Sequence, residues 1–235
     1  MKVGNITYFD DNGNAIPKEE FDKKYNQFNN EVDTAYNEIA DRLVNRINSI
    51  ATSDLEKLWM LFDYLTSEDM KYNLQGKTQD GRLALDYGYK FANYKSWKIS
   101  QETKYPALLN NSGVCITYSL AFEDLCKRLK IPCKILTGYT GMEHAWNIVL
   151  INNQVKQIDV AFAILYRKIN NKKDYFAKNN FAGRTINEDI SSITNELKEQ
   201  SKNMRSHIRI VSINKKPGIR IISRTDNVDK KTPHK

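Results

Sequence analysis

His144-Ala145-Trp146-Asn147-Ile148-Val149-Leu150-Ile151-Asn152-Asn153-Gln154-Val155-Lys156-Gln157-Ile158-Asp159 is the stretch that decides how this chain folds. Two runs rich in β-formers flank an Asn-Asn pair, and asparagine tolerates the left-handed backbone of a tight turn. The stretch reads as an antiparallel hairpin, with strands over 144–151 and 155–160 joined at Asn152-Asn153. Residues equally far from such a turn face one another. The midpoint of positions 144 and 159 is 151.5, beside the turn, so His144 and Asp159 should lie nearly opposite each other.

Upstream, a further strand is expected over 133–139. Before it, Tyr118, Phe122, Leu125 and Leu129 recur at helical steps, and Ile131-Pro132 stops the run. That helix begins near Cys115, after Ser112-Gly113-Val114. Gly113 there leaves room for an approaching substrate backbone. A cysteine in a helix's first turn meets unpaired amides and the positive end of the dipole, which favour the thiolate. An imidazole to hold the proton and a carboxylate to orient the ring complete the parts of covalent catalysis by sulfur. Singly, each residue has a plain structural reading: a small buried apolar group, a satisfied histidine, an aspartate capping a turn. Jointly they single out Cys115, His144 and Asp159. His207 begins a basic segment without a nearby carboxylate, and His234 lies in the tail.

Farther out, 1–16 reads as a loose opening with a turn at Asn12-Gly13. It resembles a calcium loop, but Ala15 and Phe21 stand where glycine and glutamate are needed. From Pro17, Phe21, Tyr25, Phe28, Val32, Tyr36, Ile39, Leu43, Ile47 and Ile50 make one apolar stripe on a long amphipathic helix. Ser53-Asp54-Leu55-Glu56 is a capping box opening a second helix, with Leu55, Leu58, Trp59, Phe62 and Leu65 on its buried face. Residues 73–112 read as loop with short helical turns. A helix is expected over about 187–202, then basic strands over 207–213 and 219–223 forming a hairpin, and a frayed tail beyond about Thr225. The expected domains are 1–52, an N-terminal segment and long helix; 53–225, the catalytic domain; and 226–235, a flexible basic tail.

The 235 residues suffice for one core, and no apolar run is long enough to span a bilayer. The start lacks a signal-peptide pattern. It reads as cytoplasmic if the chain is complete, and as extracellular or cell-surface if an export signal has been removed. Three cysteines make no disulfide framework, and Cys126 and Cys133 read as buried hydrophobes. Their spacing fits no zinc site, so neither metal nor cofactor is expected. Residues 201–235 hold ten Lys/Arg against Asp226 and Asp229, which accounts for the whole net charge of +8. This basic C-terminal hairpin offers a face to an acidic partner, but no aromatic-interleaved motif points to specific nucleic-acid binding.

Asn-Ser-Gly-Val-Cys-Ile-Thr-Tyr-Ser-Leu-Ala-Phe (111–122), His-Ala-Trp-Asn-Ile-Val (144–149) and Gln-Ile-Asp-Val-Ala-Phe (157–162), in that order, resemble the three core motifs of the transglutaminase-like (transglutaminase/protease-like) superfamily. The likeness covers roughly 54–176 and takes in Lys71-Tyr72-Asn73 and Asp174-Tyr175-Phe176. It implies an α+β fold: a papain-like core with a nucleophile helix packed on an antiparallel sheet, here with an added long N-terminal helix. It also implies Cys115 as nucleophile, His144 as general base and acid, and Asp159 as orienter. The Cys115 amide is one natural oxyanion donor. Papain-like enzymes take a second from a glutamine whose place Leu109 holds here, which leaves Tyr72, Asn110 and Asn111 as candidates. Trp146 is a candidate cleft wall beside the histidine.

The expected function is therefore cysteine-dependent attack on peptide or glutamine-type amide bonds through a thioester, with a protein or peptide as substrate. Hydrolysis is favoured, because 235 residues leave no room for the extra calcium-linked domains of animal transglutaminases. The alternatives are a cross-linking transglutaminase with an amine acceptor, or a non-catalytic module that binds through its basic C-terminal face.

Overall fold

Pro17, whose missing N–H matters least at a helix start, is the N-cap of α1, Lys18–Ile50. The structure is a computed structural model that describes residues 8–10, 12, 14–73 and 103–213, with backbone alone for Phe9 and 205–213. Burial along α1 falls on Val32, Tyr36, Ala40, Val44 and Ile47, so Ala40 and Val44 join the buried face while Ile39 and Leu43 of the expected stripe are only partly buried. Its first turns stack Phe21 on Tyr25, and Tyr8 of a small hairpin (β1, Tyr8–Phe9; β2, Ala15–Ile16) packs on Phe21. Ile50, expected in the stripe, is exposed.

The capping box opens α2, Asp54–Leu65, displaced by one residue. The Ser53 hydroxyl accepts from the Glu56 amide, and the Glu56 carboxylate accepts from the amide of Thr52. Leu58, Leu61, Phe62 and Leu65 are buried, while Leu55 overhangs solvent. Two-residue strands β3 (Lys71–Tyr72) and β4 (Ser112–Gly113) pair in parallel, and the short α3, Tyr105–Leu109, precedes β4. The helix that begins at Cys115, α4, is Cys115–Arg128.

Strands β5 (Cys133–Tyr139), β6 (Glu143–Ile151), β7 (Gln154–Ile158) and β8 (Thr185–Ile186) form one antiparallel sheet in the order β7-β6-β5-β8. Asn152 and Asn153 both have left-handed backbones (φ +50° and +62°), as a two-residue hairpin turn of the primed kind requires. The strand after this turn ends at Ile158, earlier than expected. A short helix, α5 (Val160–Leu165), starts where strand was expected.

Helices α1, α2, α3 and α4 share one core cluster with Val149, Ile151 and Ile158 of the sheet. Leu136, Trp146, Ile148 and Leu150 join Ile193 and Leu197 of the last helix in a second cluster. Strand β6 is thus buried from His144 through Ile151, which explains its near-continuous apolar run. The last helix, α6, runs Ile190–Ile213 and overturns the strand expected over 207–213. Ile190, Ile193, Leu197, Met204, Ile208 and Val211 keep a helical period that the local Ile-Arg-Ile alternation masked. The strand expected over 219–223, most of the 73–112 loop and the frayed tail lie outside the described residues. No described helix is long and apolar enough to cross a membrane.

Candidate active site

Hairpin register brings His144 and the start of α5 together. The last ladder pair is Asn147 with Ile158, so continuing the ladder would set Asp159 beside Trp146. His144 lies two residues farther, a diagonal neighbour on the same face. The side chains still meet, and His144 Nε2 lies 2.8 Å from Asp159 Oδ2 with both residues buried.

Asp159 also does what its structural reading foresaw. As N-cap of α5, its Oδ1 accepts from the Phe162 amide at 2.8 Å, while its own amide donates to the Tyr175 carbonyl at 2.9 Å. One carboxylate oxygen caps a helix and the other holds the imidazole.

Cys115 is half-buried at the first position of α4. His144 hydrogen-bonds it, and with Nε2 on the carboxylate the ring has Nδ1 left for the sulfur. Burial pushes the thiol up, but His144, the Ala145 amide and the Tyr72 hydroxyl together hold it below the ordinary thiol range. Burial likewise works against a charged His144. Its bonds to Asp159 and Cys115 prevail and raise it to about 9. Both shifts favour a thiolate–imidazolium pair.

Tyr72 arrives by a short, well-tied route. Lys71 N donates to Asn111 O (2.8 Å) and Asn73 N to Gly113 O (2.9 Å), and the buried Tyr118 hydroxyl donates to Lys71 O (2.7 Å). These bonds fix β3 beside the strand that leads into Cys115. The Tyr72 hydroxyl hydrogen-bonds the sulfur and accepts from the Cys115 backbone amide, and burial and the neighbouring sulfur push it well up, so it stays a donor.

The other candidates fare differently. Asn111 is exposed, and its carbonyl serves Lys71. Asn110 ends α3, its amide bonded to Pro106 O. Gly113 answers a packing need: a Cβ there would sit 2.5 Å from Thr117 Cγ2. Trp146 does not wall an open cleft. It is 1% exposed, stacks beside His144 at 5.8 Å and donates from Nε1 to Gln157 Oε1. Phe162 covers the imidazole more closely, at 4.2 Å. Cys126 and Cys133 are both buried, and burial raises Cys126 well above a reactive range.

Sequence reasoning missed Arg184. Its Nη1 lies 2.7 Å from Asp159 Oδ2, and its side chain is 5% exposed. The guanidinium sits 4.1 Å from the Phe181 ring, 4.8 Å from Phe162 and 4.9 Å from Trp146. No spacing rule links position 184 to 159, so the sequence carried no signal for the pairing.

No curated protein matches the chain. Among solved structures it is similar to the crystal structure of a TGase, at TM-score 0.41 and 15% identity over 62% of this chain and 33% of that one. It is similar to a putative cysteine protease from Cytophaga hutchinsonii, at 0.35 and 18% over 52% and 37%. The periplasmic domain of TgpA from Pseudomonas aeruginosa, bound to ethylmercury, gives 0.39 and 16% over 55% and 46%. The chain spans less than half the length of each. The assignment rests on the family match instead: with residues 41–158, half of its length, matching that family, the chain belongs to the transglutaminase-like superfamily.

Proposed function

We propose that the chain is a cysteine-dependent enzyme that cleaves peptide or glutamine-type amide bonds through a thioester. Family membership supports a cysteine-type enzyme broadly, and one observation carries the finer reading. A cysteine at a helix start and a buried histidine share a hydrogen bond, and that histidine is held at 2.8 Å by a buried aspartate.

In this reading the Cys115 thiolate attacks the carbonyl carbon, and the carbonyl π electrons move onto oxygen. The Cys115 amide and the Tyr72 hydroxyl stabilise that oxyanion. As the carbonyl re-forms, the C–N bond breaks, and His144 gives its proton to the departing nitrogen. Water then attacks the thioester while His144 takes a water proton. Collapse expels the Cys115 thiolate, leaving a carboxylic acid and the ion pair ready for another turn.

The rate of Cys115 alkylation by iodoacetamide, followed by mass spectrometry against pH, tests the ion pair without a substrate. Wild type should label rapidly well below pH 8.5, the ordinary thiol value, and His144→Ala should lose that advantage by about 10-fold or more. A wild-type profile like that of a free thiol, unchanged by the mutation, would sink the reading. Incubation with a glutamine peptide and a labelled amine separates the two acceptors. Hydrolysis yields a cleaved or deamidated peptide, whereas incorporation of the amine would assign a transglutaminase.

A further inference from the structure

Asp159 Oδ2 has two claimants. His144 Nε2 stands 2.8 Å away and Arg184 Nη1 2.7 Å away, both from the interior. Among the described residues Nη1 has no aligned hydrogen-bond partner, so its contact with the carboxylate is one of charge against charge. Such a contact keeps most of its strength because three aromatic rings enclose the guanidinium and Phe181, 7% exposed, closes the stack. The backbone fixes the arrangement. Gly183 turns the chain with φ of +73°, and Arg184 then leads directly into β8, which pairs with the outer edge of β5. Residue 184 also lies outside the matched span of 41–158.

We propose that Arg184 is a positioning residue that shares the Asp159 oxygen with His144 and so limits how firmly the imidazolium is held. An aspartate facing His144 alone would retain the proton that His144 must hand to the leaving nitrogen. A permanent cation on the same oxygen offsets part of that attraction. The proposal rests on the catalytic reading given above. Around the Cys115–His144 pair, the charged and titratable groups among the described residues are Tyr72 from β3, Asp159 at the start of α5 and Arg184 ahead of β8. Glu143, beside His144 on β6, is exposed, and Tyr166 and Tyr175 line the cavity behind Arg184.

The test is the same alkylation profile, run on R184M and R184K with melting temperatures in parallel. Removing a positive charge disfavours the thiolate and favours the imidazolium. Both inflections, that of Cys115 and that of His144, should therefore rise in R184M by about one pH unit. R184K, which keeps the charge, should stay near wild type. Inflections in R184M that coincide with wild type would overturn the proposal, even with a lowered melting temperature, because a purely structural arginine would behave so. R184K shifting as far as R184M would overturn it too. Should R184M fail to fold, F181L admits water to the guanidinium, and its inflections should rise by a smaller amount; unchanged inflections there count against the proposal. A wild-type profile insensitive to His144→Ala sinks the catalytic reading itself. A sensitive wild type with an unmoved R184M sinks only the role of Arg184.

Discussion

Single side chains in this site do work that is separable by substitution. Tyr72→Phe removes one hydroxyl next to the sulfur and leaves the ring that packs against the core. If that hydroxyl stabilises the oxyanion, kcat on a peptide amide should fall by about 10- to 100-fold with little change in KM. A rise in kcat would show that the hydroxyl blocks the site instead. His144 gives a prediction in pH. Its raised value, about 9, means that its partners stabilise the fold fully below the unfolded value near 6.5. That contribution, about 3 kcal/mol, is lost as the pH rises through 9. The melting-temperature gap between wild type and His144→Gln should accordingly narrow between pH 6.5 and 10. Much of this was legible in the sequence, because the hairpin and the helix start are local features with their own turn and cap residues. The legibility had limits. Counting from the midpoint set His144 opposite Asp159, whereas the ladder set them two residues apart and the end of the strand closed the gap. Arg184 reaches the site through tertiary folding alone.

Among the elements, β8 has only two residues but carries the chain past Arg184 to the edge of the sheet. Gly138 lets it approach: a Cβ there would lie 2.0 Å from the Thr185 carbonyl oxygen and 2.9 Å from Trp146 Cη2. The Glu188 carboxylate then accepts from both the amide and the hydroxyl of Thr137, and Asn187 N donates to Thr137 O. Gly138→Ala should push β8 off the sheet, cost about 2–4 kcal/mol and expose 177–186 to limited proteolysis. Cleavage no faster than in wild type would mean that the sheet edge absorbs the methyl group. Two-residue strands such as β3, β4 and β8 leave little trace in sequence, since a period of two needs more than two residues to register. The error at 207–213 runs the other way. A short β-branched alternation imitated a strand inside a helix whose period appears only over its full length.

For the whole molecule, Asp124 is the tie between the long first helix and the rest. It accepts from Tyr36 of α1 (3.2 Å), from Lys104 just before α3 (2.6 Å) and from Arg128 at the end of α4 (2.8 Å). Burial pushes this carboxyl up, but the two cations hold it below the usual range. Arg128 extends the network to Asp41 and Asn37 on α1. Asp124→Ala leaves two cations facing each other and should lower stability by about 1–3 kcal/mol, read as a shift in the denaturant midpoint. A midpoint within error of wild type would show that packing of Tyr36, Ala40, Val44 and Ile47 alone holds α1. The apolar stripe announced that packing, but the charged tie was invisible because its members lie 88 and 20 residues apart along the chain.

The split duties of the Asp159 carboxylate bear on how relatives of this chain should be sorted. One oxygen belongs to the architecture and, in the proposed mechanism, the other to the chemistry. A descendant that abandoned catalysis would still need the first, so selection for folding alone would keep an aspartate there. An aspartate at this position is therefore poor testimony that a related protein is active. Neither Cys115 nor His144 caps a helix, and their loss is what would mark a lineage that has retired from chemistry.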